Sequence, residues 1–291
     1  MSVDEVYAVA KLIRQRYPNL PIVIDLQGAK MRLGNFQPRA VARNARLSFT
    51  VSGAADTLPL PHPELFASIR AGDTLSFDDD RIRFRVVSSS AEILEAVALS
   101  EGALQPRKGA NVLEHPVNAL DLSVTDSEIV ERTAFLGDVE YAYSFMQDGA
   151  ESAWIRRRVP GCRVIGKIER REATANAAEI ARDTDEVWIC RGDLGAQLGM
   201  APMAQWVSSY DPKSALCPVL MAGQVLEHLT ANAEPTRTEV CHLWDLVNRG
   251  YAGFVLSDET AVGRAPAGAV KILSGLLSSF QAFQGRPANR P

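Results

Sequence analysis

The sequence has few of the residues that build disulfide frameworks, histidine metal sites or membrane spans. Its four cysteines, 28, 27 and 24 residues apart, match no zinc motif and mostly lie in or beside apolar runs. We therefore interpret them as reduced core residues. The four histidines form no H-x-x-x-H cluster, which argues against a histidine metal site. No apolar run has the length of a membrane span.

The charge balance and the first residues restrict the class of protein further. The net charge of -4 and the isoelectric point near 5.7 argue against nucleic acid as a partner. The chain does not begin with the basic segment and apolar stretch of a signal peptide. We therefore expect a cytoplasmic protein with neither nucleic acid nor a membrane as its partner.

Two hydrophobic patterns divide the chain. Residues 36–109 alternate between apolar and polar, which is typical of a small antiparallel β domain. Elsewhere apolar runs of strand length alternate with helical patterns, which predicts an α/β fold. The six predicted parallel strands are 21–26, 140–145, 163–168, 186–190, 218–222 and 253–257. The predicted architecture is a (β/α) TIM-type barrel, incomplete in one chain, with an inserted small β domain. The predicted domains are 1–35 (barrel, first part), 36–109 (inserted domain), 110–283 (barrel, second part) and 284–291 (flexible tail).

The most informative residues lie where two predicted strands end in charged side chains. Lys167 and Glu169 are two residues apart, so they point to the same face of their strand. Asp193 ends the next strand, 24 residues after Glu169, about one helix-and-strand repeat later. Two acids at neighbouring strand ends can share a divalent cation, and a lysine beside them can balance an anionic substrate. A structural ion network at the barrel rim is the alternative.

Several short strings follow one another in a fixed order from about residue 4 to about residue 282. They include Asp25-Leu26-Gln27-Gly28, Arg107-Lys108-Gly109, Ser144-Phe145, Lys167-Ile168-Glu169, Arg191-Gly192-Asp193-Leu194-Gly195, Gln224-Val225-Leu226-Glu227, Pro235-Thr236-Arg237-Thr238-Glu239 and Leu256-Ser257-Asp258-Glu259-Thr260. Each string alone is a weak signal. In their joint order and spacing they resemble the pyruvate kinase family, and the predicted barrel is of that family's type.

The resemblance implies roles for individual residues. Glu169 and Asp193 correspond to the ligands of Mg²⁺ or Mn²⁺, and Lys167 to the lysine that faces the transferred phosphoryl group and the enolate. The backbone around Gly192 corresponds to the donors that hold the substrate carboxylate. We predict Lys167 and Gln224 as catalytic residues. The predicted substrate-binding residues are Asp25, Lys108, Ser144, Arg191, Gly192, Asp193 and Gly223. For Asp25, Lys108 and Gln224 a purely structural role is the alternative.

Some positions depart from the family pattern. The first two barrel strands and the C-terminal effector domain have no counterpart, Lys30 stands in place of an acid, and Gly223 in place of a threonine linked to proton delivery. These departures fall mainly on the phosphate-transfer half of the site, and phosphoryl transfer depends on positioned positive charge. The first expectation is therefore a divalent-metal enzyme acting on pyruvate, phosphoenolpyruvate or a related 2-oxo acid. It would stabilise an enolate for aldolase, lyase or decarboxylase chemistry.

Two other functions stay open. One is a kinase that uses phosphoenolpyruvate and ADP, and the other is a non-catalytic binding protein. The incomplete barrel also predicts a partner: six strands do not close an eight-stranded barrel, and an unpaired edge strand invites pairing. We expect a homo-oligomer that covers this edge.

Overall fold

The computed structural model describes residues 1–53, 56–78, 81–115 and 117–284. The chain begins with helix α1 (Val3–Arg16) and strand β1 (Ile22–Leu26). Nine short elements follow. They are β2 (Arg39–Val41), β3 (Arg46–Thr50), β4 (Leu58–Pro59), α2 (Pro63–Ser68), β5 (Thr74–Phe77), β6 (Ile82–Ser89), β7 (Ile93–Ala98), β8 (Gly102–Leu104) and β9 (Ala110–Val112).

Helices and strands then alternate to the end of the described chain. They are α3 (Val124–Thr133), β10 (Val139–Tyr143), α4 (Ser152–Arg158), β11 (Val164–Ile168), α5 (Arg171–Ala175), α6 (Ala177–Asp183), β12 (Glu186–Cys190), α7 (Arg191–Leu198), α8 (Met200–Ser209), β13 (Val219–Ala222), α9 (Arg237–Arg249), β14 (Gly253–Val255), α10 (Asp258–Ala261) and α11 (Pro266–Gln284). Short 3-10 turns occupy Ala134–Leu136, Pro212–Ser214 and Glu227–Thr230.

Six parallel strands form the main sheet, in the order β1-β10-β11-β12-β13-β14. Helices connect each strand to the next. Between β1 and β10 the chain also contains the β2–β9 segment. The apolar side chains of these strands pack with those of the helices in one core, in which Tyr141, Ile168 and Ile189 are fully buried. Since the strands are parallel, their carboxyl ends lie at one edge of the sheet, where ligands bind in such folds.

The inserted segment builds its own sheet and core. Six strands lie in the order β4-β3-β7-β6-β5-β9, and β2 pairs with β8. Phe49, Phe77 and Phe84 pack with ring centroids 5.3 to 5.8 Å apart and are fully buried. Each such burial stabilises the fold by roughly 2 kcal/mol.

The predicted fold class, an α/β barrel incomplete in one chain with an inserted β domain, is confirmed. Two strands end earlier than expected. The strand predicted over 140–145 ends at Tyr143, because Phe145 takes a left-handed conformation with φ of 58°, and the strand predicted over 253–257 ends at Val255.

The domain boundaries stay predictions. β9 adds to the inserted sheet three residues beyond the boundary placed at 109. All of the predicted tail except its first residue lies outside the described residues. No helix within the described ranges is long and apolar enough to cross a membrane.

Candidate active site

Lys167 lies at the centre of a cluster at the carboxyl ends of β1, β10 and β11. Its buried ammonium donates to Asp25 Oδ2 at 2.8 Å and to Ser144 Oγ at 3.1 Å, and it lies 3.2 Å from Glu169 Oε1. Ser144 in turn donates to Asp25 Oδ1 at 3.0 Å. Three side chains that the sequence named for the site therefore meet around the Lys167 ammonium.

The electrostatics of this cluster keep Lys167 charged. Burial alone would lower the pKa of Lys167, but the carboxylates of Glu169 and Asp25 outweigh burial and raise it. Burial raises the pKa of Glu169, Lys167 lowers it, and the carboxylate of Asp193 raises it again. A cation between Glu169 and Asp193 would offset that effect of one carboxylate on the other.

Asp193 is held by Lys30, a residue that the sequence reasoning treated only as a lost acid. Lys30 Nζ lies 2.6 Å from Asp193 Oδ1 and 5.3 Å from the centroid of the Phe145 ring. The backbone N–H of Phe145 donates to Glu169 Oε2 at 2.9 Å. Lys30 therefore joins the loop after β1 to the start of α7. The sequence did contain one signal for this contact: Lys30 follows Gly28 closely in the loop after a strand.

The start of α7 presents backbone donors beside these carboxylates. Its first residues are Arg191, Gly192 and Asp193. The first N–H groups of an α-helix have no acceptor within the helix and favour an anion. These donors have the chemistry to bind a carboxylate.

The Arg191 side chain turns away from the Lys167 cluster. Its guanidinium donates to the carbonyl oxygen of Gly223 at 3.0 and 2.7 Å and to that of Gln224 at 2.9 Å. It also donates to Nε2 of His242 at 2.7 Å, and burial lowers the pKa of Arg191. These contacts hold the loop after β13 against the start of α7, which sequence reasoning did not foresee. The carbonyl oxygen of Gln224 thus accepts one of these bonds. Together with Arg191 and Gly223, Gln224 also lines a cavity of about 440 Å³.

Gly223 and Gln224 both adopt left-handed backbone conformations, with φ of 77° and 52°. A Cβ at position 223 would lie 3.3 Å from the backbone nitrogen of Gly192. A threonine on this backbone would therefore be strained. Gly223, in place of the family's threonine, therefore lies where the loop after β13 closely approaches the start of α7.

Lys108 lies across a cleft between the inserted sheet and the barrel. It pairs with Asp78 at 2.7 Å. We call this cleft, of about 430 Å³, the cationic cleft because Lys30, Arg32 and Lys108 line it together with Asp78 and Asp193. Arg32, which the sequence analysis left without a role, donates to the carbonyl oxygen of Arg107 at 3.0 Å.

The donor set suits a hard divalent cation that keeps open positions. Within the described ranges no three His, Cys, Asp or Glu side chains converge as a closed metal cage. Glu169 and Asp193 together still fit Mg²⁺ or Mn²⁺, because Mg²⁺ commonly takes one or two carboxylates and fills its other positions with water and substrate oxygens.

All four cysteines are free, and burial raises the pKa of Cys190 beside Glu169 well above its ordinary value.

Comparisons with known proteins identify similar chains. A pyruvate kinase of Agrobacterium vitis is 31% identical over 288 residues, which are 95% of this chain and 60% of that protein. A pyruvate kinase of Mycobacterium tuberculosis is 30% identical over 274 residues, 89% of this chain and 57% of that protein. The chain thus spans less than two thirds of the length of these relatives.

A solved structure supports the fold. The crystal structure of pyruvate kinase from Pyrobaculum aerophilum matches with a TM-score of 0.78 and 24% identity, over 96% of this chain and 65% of that one. At that identity the likeness concerns the fold alone.

The relatives also correct the expected chemistry. They carry the name pyruvate kinase, which is a phosphotransferase. The expectation of aldolase, lyase or decarboxylase chemistry is therefore wrong. That expectation treated Lys30 and Gly223 as the loss of two functional side chains. In the structure the Lys30 ammonium instead pairs with the carboxylate of Asp193.

A family-level match also covers nearly the whole chain. The sequence profile described as "Pyruvate kinase, barrel domain" matches residues 1–270. The matched range contains the strings around Lys167, Gly192 and Gln224 that carried the resemblance. The chain belongs to the pyruvate kinase family.

Proposed function

We propose that this chain transfers the phosphoryl group of phosphoenolpyruvate to ADP with the help of Mg²⁺ or Mn²⁺. The observation that carries the proposal is the convergence of Lys167, Glu169 and Asp25 at one strand edge, with Asp193 connected to Glu169 through Lys30 and Phe145. The family match supports the same reaction.

In this proposal the enolpyruvate half of the substrate lies between α7 and Lys167. The first N–H groups of α7, around Gly192 and Asp193, bind its carboxylate. The Lys167 ammonium faces the oxygen that links phosphorus to the enol carbon. It stabilises the negative charge that grows there as the phosphoryl group leaves. Asp25 and Ser144 hold the ammonium in place.

Glu169 and Asp193 would hold the divalent cation. When bound, the cation supplies Lewis-acid polarisation of the substrate oxygens. Glu169 is rigidly placed, because Phe145 donates to its second oxygen. Asp193 keeps Oδ2 free of Lys30, which bonds to Oδ1.

The cationic cleft supports the acceptor side of the reaction. Lys30, Arg32 and Lys108 line a volume of about 430 Å³ next to Asp193. Catalysis of phosphoryl transfer consists largely of positioning and of stabilising charge on phosphoryl oxygens. We propose that the phosphates of ADP bind in this cleft. Since position 223 carries no side chain, the proton that converts the enol to pyruvate does not come from that residue.

Steady-state assays test the proposal. Pyruvate is followed by the oxidation of NADH by lactate dehydrogenase, with phosphoenolpyruvate, ADP and Mg²⁺ or Mn²⁺ present or omitted one at a time. We expect pyruvate only when all three are present. Lys167→Met should lower kcat/KM about a hundredfold or more, as loss of a transition-state donor does. Lys271→Met, which removes an exposed lysine of α11, is the matched control.

Two results would contradict the kinase. Pyruvate formation that does not need ADP would point to a different reaction. Phosphoenolpyruvate binding without turnover, under all nucleotide and metal conditions, would support a non-catalytic binding protein instead.

We also propose that a second copy of the chain covers the open side of the barrel. In the part of the chain that the structure describes, β1 pairs only with β10 and β14 only with β13. Val23 of β1 is 39% exposed. Unpaired, partly apolar edge strands are a liability that proteins cover.

Light scattering after size exclusion tests this assembly at micromolar concentration. We expect a mass above the 31.7 kDa of one chain, and a shift toward that value in Val23→Lys. A wild-type protein with the mass of one chain would contradict the proposal.

A further inference from the structure

A buried carboxylate outside the proposed site holds the loop that carries Lys30. Asp126, in the first turn of α3, is 1% exposed. Its two oxygens accept from the backbone N–H groups of Gln27 at 3.2 Å and Gly28 at 3.0 Å. These donors lie almost one hundred residues earlier in the chain, directly after β1.

The local sequence of α3 would suggest a different partner for Asp126. Ser123 caps the helix by accepting from the Asp126 N–H at 3.0 Å. An acid at this position commonly reaches back to the N–H of the capping residue, as Glu5 does in α1 and Glu239 in α9. In α3 the carboxylate binds the loop after β1 instead. Asp126 thus has a partner that its own helix does not supply.

The loop that Asp126 binds comprises residues 27–30, and we call it the β1 loop. Gly28 has a φ of 58°, and a Cβ there would overlap the carbonyl oxygen of Ser144. The N–H of Ala29 donates to that same oxygen at 3.1 Å, and the N–H of Lys30 donates to Gln27 at 3.2 Å. Every backbone N–H of the β1 loop is therefore bonded, two of them to Asp126.

We propose that Asp126 is a positioning residue that acts through Lys30. It orients the β1 loop so that the Lys30 ammonium reaches Asp193 and the cationic cleft. The role of Lys30 in turnover rests on the proposed kinase function, whereas the structural link from Asp126 to Lys30 does not. The experiments below separate the two.

Asp126→Asn is the informative change. An asparagine keeps one acceptor oxygen but presents an NH₂ group to the second backbone N–H. Two donors then face each other, and the β1 loop must shift.

Glu151 offers a matched control. It is 5% exposed and also accepts two backbone N–H bonds, from Gln147 at 2.6 Å and Gly149 at 3.1 Å. Its loop follows β10 and does not carry Lys30. Glu151→Gln therefore reproduces the chemical change at two backbone N–H groups that make no bond to the β1 loop.

Chemical labelling measures the position of Lys30 without any need for turnover. The folded variants are treated with limiting acetic anhydride, and the acetylation of each lysine is read by mass spectrometry relative to exposed Lys271. We expect Asp126→Asn to raise the relative labelling of Lys30 several-fold, because its ion pair with Asp193 is loosened. Glu151→Gln should leave it unchanged. Equal labelling of Lys30 in wild type and Asp126→Asn would overturn the proposal.

If Asp126→Asn does not fold, Asp126→Glu replaces it, since it keeps the charge and moves the carboxylate by one methylene. Increased labelling of Lys30 supports the proposal there too, and unchanged labelling overturns it.

A double-mutant cycle with Lys30→Met then tests the functional link. In the wild-type background Asp126→Asn should lower kcat/KM about tenfold or more. In the Lys30→Met background the same change should have less than about a twofold effect, because no ammonium is left to misplace. Glu151→Gln should have the same effect in both backgrounds. Additive effects of Asp126→Asn and Lys30→Met would overturn the inference. A wild-type protein without turnover would defeat the proposed function alone, because labelling still decides on Asp126.

Discussion

The ammonium of Lys30 lies 2.6 Å from Oδ1 of Asp193, in an ion pair that is partly exposed to solvent. Asp193, one of the two carboxylates of the proposed metal site, is thus already paired with a lysine ammonium. The pair connects the β1 loop to α7 and places positive charge at the entrance of the cationic cleft.

Removing Lys30 should tighten divalent-metal binding while it weakens turnover. In Lys30→Met, Asp193 loses a competing cation, so the dissociation constant for Mn²⁺ should fall by up to about fivefold, the effect of a partly exposed ion pair. Titration with Mn²⁺ followed by electron paramagnetic resonance measures this directly. Lys271→Met serves as the control, and weaker Mn²⁺ binding in Lys30→Met would contradict the arrangement.

Glu169 should be needed for the divalent cation. Glu169→Gln removes one of only two carboxylates proposed to bind the cation, and it leaves Lys167 with Asp25 as its remaining anionic partner. We expect Mn²⁺ binding to be lost and the free energy of unfolding to fall by about 1 to 3 kcal/mol, because a buried hydrogen-bonded charge is disturbed. Glu179→Gln, at an exposed position of α6, should change neither quantity. Undiminished Mn²⁺ affinity in Glu169→Gln would remove Glu169 from the site.

A methyl group at position 28 should separate the loops after β1 and β10. Gly28→Ala combines a left-handed backbone with an overlap on the Ser144 carbonyl oxygen. We expect unfolding in urea to show a loss of at least about 2 kcal/mol, from backbone strain and steric overlap together. Gly72→Ala isolates the strain, since Gly72 has a φ of 96° and a Cβ added there would meet no atom within 4 Å. Equal losses in the two variants would show that the contact with Ser144 is unimportant.

The contact between His242 and Arg191 should make stability depend on pH. Burial lowers the pKa of His242, and the Arg191 guanidinium lowers it further. The unfolded chain therefore binds a proton at higher pH than the folded chain, and the contribution of His242 is present above about pH 6.5 and lost as the pH falls below it. Urea unfolding at a series of pH values checks this. His242→Gln should remove that part of the pH dependence, and an unchanged profile would exclude His242 as its source.

Sequence patterns alone predicted much of the frame of this protein. The alternation of helices with the strands of the main sheet is as predicted, and all six strands lie within a few residues of their predicted positions. These elements are predictable because their hydrophobic period and their caps, such as Thr236 with Glu239, are local in sequence. The ends of elements were less predictable: the left-handed Phe145, where β10 has ended, donates its N–H to Glu169, 24 residues away.

For the site, sequence determined which residue types stand at the carboxyl ends of the strands. It brought Asp25, Ser144, Lys167 and Glu169 into one prediction, and their roles in binding and catalysis stay predictions. Tertiary structure alone decided that Lys30 pairs with Asp193, that Arg191 binds the loop after β13, and that Asp126 holds the β1 loop. The physical reason is the same in each case. These contacts join residues that are 32 to 163 positions apart, so no local propensity encodes them, and only the packing of the strands brings their atoms within bonding distance.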